Sequence, residues 1–81
     1  MLDTLISIGD TLKEIRETKG FHLQEVAEKT TINYTSLSRI ETGKRLPTKP
    51  QVQILASFYK YSEQELIKQL ISDKIIYEVQ N

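Results

Sequence analysis

The strongest constraint in this sequence is a pair of short helical segments, Leu23–Thr30 and Asn33–Thr42, joined by only a short turn. In the first, Leu23, Val26, Ala27 and Thr30 recur at helical spacing over a length too short to be stable alone, with His22 just ahead as a poor cap. In the second, Asn33 is a good N-cap, and counting about 100° per residue puts Leu37 and Ile40 on one side. Tyr34, Thr35, Ser38, Arg39 and Thr42 fall on the other side. A helix with so narrow an apolar side leans on its neighbours and leaves its polar side free to face something else.

Helix start and stop signals divide the rest of the chain. Ile8, Leu12 and Ile15 recur at helical spacing and Gly20 follows a last turn ending in Lys19, which predicts a first helix over about residues 5–19. Gly43 ends the segment after Thr42, and a basic loop from Lys44 to Lys49 carries Pro47. Thr48 then caps a helix that tolerates Pro50 in its first turn and runs to about Tyr59. That helix is almost wholly apolar from Val52 onward, the mark of a helix contacted on several sides at the centre of the core.

Ser62 and Glu65 have capping-box spacing ahead of Leu66, Ile67, Leu70 and Ile71, so a fifth helix starts at Glu63. Lys74–Val79 suits either a continuation of that helix or a short strand, and helix is the favoured reading. The expected fold is all-α, a compact bundle of five short helices forming one domain over residues 1–81.

At 81 residues such a chain buries a single core. It has no cysteine and one histidine, His22, which leaves no disulfide framework, cysteine nucleophile or Cys/His zinc site. There is no Ser/His/Asp set, no phosphate-cradling glycine loop and no metal cluster, so the expectation is a protein that is not an enzyme, with no cofactor, metal or small-molecule ligand. The apolar runs fall far short of the roughly 20 residues that cross a bilayer, and no cleavable signal pattern opens the sequence. A cytoplasmic protein without a membrane partner is expected.

Eleven Lys and Arg balance 11 Asp and Glu, which argues against a uniformly basic nucleic-acid binder. The distribution reverses that impression. Between Lys29 and Lys60 the basic residues are Lys29, Arg39, Lys44, Arg45, Lys49 and Lys60, and Glu41 is the only acid. The segments on either side are acid-rich, so the molecule is electrically polarised.

Two short helices meeting through a short turn form a helix-turn-helix. The run Leu12-Lys13-Glu14-Ile15-Arg16, then Glu25-Val26-Ala27-Glu28-Lys29, then Leu37-Ser38-Arg39-Ile40-Glu41-Thr42-Gly43-Lys44-Arg45-Leu46-Pro47, resembles the phage Cro and cI repressor type of helix-turn-helix, over about residues 8–70. The resemblance implies the lambda-repressor-like fold and a transcriptional regulator that binds duplex DNA. Ala27 suits it mechanically, since a small side chain lets the two helices approach while Val26 points into the core beside Leu37 and Ile40.

By the same resemblance, the first residues of the Asn33–Thr42 helix read bases, at the positions of Tyr34, Thr35, Ser38 and Arg39. Their chemistry fits, because Arg39 can fork onto guanine O6 and N7, the two hydroxyls can bond either kind of base edge, and Tyr34 can touch a thymine methyl. Asn33, Thr42, Lys44 and Arg45 would meet phosphates, together with the amides after Gly43, whose left-handed backbone turns the chain out of the helix. Leu23 stands where many members carry a phosphate-contacting glutamine, and Gln24 is the candidate substitute. Arg16 and Glu41 occupy the positions of a structural ion pair. Thr31 stands at a turn position usually given to glycine, where a positive φ would strain a β-branched residue, so a different turn geometry is expected.

The remaining conspicuous residues read as structural. Phe58, Tyr59 and Tyr61 are expected in the core, Phe21 between the first and second helices, and His22 at the surface without chemistry. One short reading helix covers too few base pairs for useful specificity, which implies a homodimer on a pseudo-palindromic operator. The candidate dimerisation segment is the fifth helix, 63–81, through Ile67, Ile71, Ile75, Ile76 and Val79. The competing reading is a protein-interaction module of the same fold, such as the antitoxin of a toxin–antitoxin pair, with a protein partner in place of or beside DNA.

Overall fold

A computed structural model describes the backbone of residues 7–80 and the side chains of residues 7–76. It is all-helical over that span, with α1 at Ile8–Thr18, α2 at Leu23–Lys29, α3 at Tyr34–Glu41, α4 at Lys49–Tyr59 and α5 at Glu63–Gln80. α4 packs on α5, α2 on α3, and α1 against both α3 and α5. The expected start of the first helix at residue 5 lies outside the described residues, and Lys74–Gln80 continues α5 as helix.

Local capping explains most boundaries. Ser7 and Asp10 form a reciprocal capping box at α1, and Thr48 and Gln51 form another at α4. Asn33 accepts from the Ser36 N–H at 2.8 Å, and Ser62 from the Glu65 N–H at 3.2 Å. At α2 the cap comes from Glu25, whose carboxylate accepts from the His22 N–H at 2.8 Å. α3 ends in a Schellman motif, with the Gly43 N–H donating to the Ile40 carbonyl and the Lys44 N–H to that of Arg39. Gly43 has φ +79°, as its place in that turn requires. α4 ends the same way, except that the left-handed residue is Lys60, at φ 57°.

The core is built from Ile8, Leu12 and Ile15 of α1, Val26 of α2, Ile32 of the turn, Leu37 and Ile40 of α3, Val52, Leu55, Ala56 and Tyr59 of α4, and Leu66 and Leu70 of α5. Burying each aliphatic side chain contributes about 1.5–3 kcal/mol, which lets helices of seven or eight residues hold their shape. α4 is less enveloped than its composition suggests. It buries one stripe, Val52, Leu55, Ala56 and Tyr59, leaves Ile54 and Phe58 half-buried, and exposes Gln53 and Ser57. Phe21, in the loop between α1 and α2, packs on that helix, with ring centroids 5.0 Å from Phe58 and 6.3 Å from Tyr59. Tyr61 is exposed, because the left-handed turn at Lys60 carries it away from the core.

Two tertiary contacts set where α1 lies. Gly9 faces α3 so closely that an added Cβ would run into the Ile40 carbonyl oxygen. Ile8, with no earlier helical carbonyl to bond, donates its N–H to Asp73 of α5.

Candidate nucleic-acid interface

α3 is held from behind. Leu37 and Ile40 are buried at 2% and 1% exposure, and Glu41, at 7%, is buried with them. Arg16 of α1 binds that carboxylate with a two-pronged contact, Nε to Oε2 at 2.8 Å and Nη2 to Oε1 at 3.0 Å. Its remaining nitrogen donates to the Phe21 carbonyl at 2.9 Å. One guanidinium therefore ties together α1, the loop before α2 and the end of α3. The bond to Glu41 raises the Arg16 pKa above its usual value, against the opposing effect of burial. Tyr59 completes the cluster. Burial pushes its hydroxyl up to about 12, helped by the negative charge of Glu41 and opposed by Arg16.

The turn between α2 and α3 uses no left-handed residue. Thr30 leaves α2 in an extended conformation, with φ −122°, and its hydroxyl both donates to the Val26 carbonyl at 2.8 Å and accepts from the Ile32 N–H at 3.3 Å. Thr31 is spared the strain of a positive φ, and buried Ile32 anchors the turn to the core. Ala27 is half-buried beside Val26 and packs on the core.

The opposite side of α3 is open. Tyr34, 49% exposed, stands at its first position, followed by exposed Thr35 and Arg39, with Ser38 half-exposed between them. Asn33 is exposed, its carbonyl spent on the cap and its side-chain NH2 left outward. Thr42 is exposed but its hydroxyl donates to the Ser38 carbonyl at 2.8 Å. Lys44 and Arg45 follow at once, both exposed, and Arg45 reaches back to Ser36 at 3.5 Å, beside the first turn of α3. Nothing in the sequence pattern pointed to Ser36, whose placement depends on the path of the loop.

Two of the groups expected to meet phosphates have internal hydrogen bonds. Of the amides after Gly43, that of Lys44 is consumed by the Schellman motif. Gln24 is exposed and donates one of its two side-chain N–H groups to Glu28, one turn along α2, at 3.2 Å.

The electrostatics follow from a single burial. Lys29, Arg39, Lys44, Arg45, Lys49 and Lys60 are all exposed, and none forms an ion pair among the described residues. Glu41, the only acid in that stretch, is buried and bound to Arg16. The outer side of α3 and the loop after it thus present Arg39, Lys44 and Arg45 with no exposed acid from residues 29–60.

A family model described as helix-turn-helix matches residues 12–66, which spans α2, the turn, α3 and α4 with most of α1 and the first turn of α5. The chain belongs to the Cro/C1-type helix-turn-helix family. Its five helices form the lambda-repressor-like fold, and it is a DNA-binding helix-turn-helix regulator. No significant match was found among curated proteins or among solved structures.

α3 is the second helix of this helix-turn-helix unit, and its open side is the surface described above. Among the described residues no helix is long and apolar enough to cross a membrane, and no group of His, Cys, Asp or Glu is arranged to hold a metal ion.

α5 adds a second surface. Its first half turns Leu66 and Leu70 into the core with Ile67 half-buried against it, whereas Ile71, Ile75 and Ile76 are 55%, 60% and 42% exposed. Counted around the helix, Ile71 and Ile75 lie on the side opposite Leu66 and Leu70. One helix thus carries an inner apolar side over its first half and an outer one over its second. The side chain of Val79 lies outside the described residues.

Proposed function

We propose that the protein is a sequence-specific regulator that binds a pseudo-palindromic operator as a homodimer, with α3 in the major groove of each half-site. The carrying observation is the burial of Glu41 against Arg16, which leaves the outer side of α3 and the loop after it free of negative charge. Tyr34, Thr35, Ser38 and Arg39 are the base-reading groups, Arg39 as the bidentate donor to guanine. Lys44, Arg45 and the side-chain NH2 of Asn33 hold the flanking phosphates. Thr42 joins them only by giving up the bond from its hydroxyl to the Ser38 carbonyl, whereas Gln24 keeps a second side-chain N–H for a phosphate.

Dimerisation is assigned to Ile71 and Ile75, which form an outward apolar side of α5, with exposed Ile76 and half-buried Ile67 flanking it. Val79 is assigned to the same segment from its position alone.

A second reading, a protein-interaction module such as an antitoxin, is favoured by one feature. An open groove with an apolar floor, lined by Lys29, Thr30, Pro50, Gln53, Ile54, Ser57 and Phe58, runs beside α4.

The test is selection from a random duplex library with the purified protein, repeated with Arg39→Ala. Enrichment of two half-sites related by two-fold symmetry, separated by about one or more helical turns of DNA, supports the operator reading. Enrichment of a single half-site leaves the base reader and removes the dimer. No enrichment favours the protein-partner reading.

A further inference from the structure

The outward apolar side of α5 serves as a dimer contact only if the helix is aimed, and the core releases it before that side begins. Among the described residues the last buried one of α5 is Leu70; beyond it Ile71, Ser72, Lys74, Ile75 and Ile76 are exposed. Asp73 is the exception. It is half-buried, and its Oδ2 accepts from the N–H of Ile8 at the start of α1.

This carboxylate sits at the positive end of the α1 dipole and satisfies a donor that the helix itself leaves unpaired. Ser7 and Asp10 occupy each other in the local capping box, so Ile8 depends on α5 for its partner. On the other side of the same turn, Gly9 lies directly against the Ile40 carbonyl of α3. Beyond the packing of its first half, α5 is thus tied through the Asp73 carboxylate to the first turn of α1, which itself lies against α3.

We infer that Asp73 is a positioning residue that aims the free half of α5 relative to α1 and α3, and thereby sets the separation of the two recognition helices in the dimer. The dimer itself rests on the reading given under Proposed function; the aiming of α5 within one chain does not. In a two-fold dimer that separation must match successive major-groove faces, about 34–36 Å apart on B-DNA, so an arm free to swing would blur half-site spacing without altering which bases are read.

The absence of cysteine makes the aim directly measurable. Lys13 on α1 and Lys74 on α5 are exposed and belong to neither the core nor the DNA-facing surface. A Lys13→Cys, Lys74→Cys protein carrying two nitroxide labels, diluted into unlabelled protein, reports the intrachain distance by pulsed dipolar spectroscopy whatever the oligomeric state. Asp73→Ala is expected to replace one narrow distance by a broad distribution at unchanged helix content. Asp73→Asn, which retains an oxygen acceptor, is expected to keep the narrow distance.

An unchanged distribution in Asp73→Ala would overturn the inference, as would loss of the folded state, which would make Asp73 a folding residue and not a positioning one. A dimer-linked readout separates this from the reading on which it rests. Singly labelled protein that shows no interchain coupling removes the dimer and leaves the intrachain result standing.

Discussion

Arg16 and Glu41 meet through both carboxylate oxygens, at 2.8 and 3.0 Å, although 25 positions apart in the chain. The pair acts on structure and on surface charge together. It fixes the end of α3 to α1, and it withdraws the only acid of residues 29–60 from the exposed side of α3.

Removing the arginine leaves a buried carboxylate without its partner. Arg16→Ala is expected to lower unfolding free energy by about 3 kcal/mol, whereas the double variant Arg16→Met, Glu41→Leu loses much less, because no charge is stranded. Urea denaturation of the three proteins checks this. Equal losses in both variants would show that the pair acts through packing alone.

Gly9 is required by proximity. Gly9→Ala places a Cβ against the Ile40 carbonyl, and α1 must retreat from α3 at a cost of about 1–3 kcal/mol. For a domain of this size that corresponds to a melting temperature lower by roughly 4–8 °C per kcal/mol, readable by circular dichroism. A wild-type melting temperature would mean that the α1–α3 contact is loose.

Lys60 offers the opposite sign. Its left-handed backbone at φ 57° is strained for a residue with a Cβ, and its side chain is exposed. Lys60→Gly is expected to stabilise the protein by about 0.5–1 kcal/mol, the released strain exceeding the added entropy of the unfolded chain. Chemical denaturation of the variant gives the value, and destabilisation would show that the Lys60 side chain has a stabilising contact.

The Tyr59 hydroxyl, pushed up from 10.0 to about 12, ties stability to alkaline pH. The folded state resists ionisation that the unfolded state accepts, so the contribution is fully present below about pH 10 and is lost as pH rises from 10 to 12. Its size is on the order of 2 kcal/mol. The difference in stability between wild type and Tyr59→Phe should therefore shift across that window, and a difference flat from pH 9 to 12 would contradict it.

Much of this architecture was legible because its signals are local. Asn33, Thr48 and Ser62 announce helix starts through their own side chains, and Gly43 announces a stop through its backbone. The polar side of α3 was equally readable, since helical spacing alone separates Tyr34, Thr35 and Arg39 from Leu37 and Ile40.

What escaped depends on distance or on path. Asp73 reaches Ile8 across 65 positions, and the closeness of Gly9 to Ile40 is a property of two helices already docked. Phe21 stacks on Phe58 for the same reason. Lys60 has no left-handed preference to reveal it; the capping geometry of α4 overrides its own. The Glu25 cap on α2 had a visible spacing from His22, obscured because histidine is not a usual first member of that motif.

The most direct test of the central claim, that the outer side of α3 reads base pairs within an unopposed positive field, is fluorescence anisotropy on duplex DNA from the protein's own upstream region. Wild type and Arg39→Ala would be titrated at several salt concentrations. The account predicts wild-type affinity that falls linearly on a logarithmic salt scale, and an Arg39→Ala protein weakened by about 1–3 kcal/mol on this duplex while its affinity for an unrelated duplex falls far less. Equal weakening on both duplexes, or no binding by either protein at low salt, would contradict it.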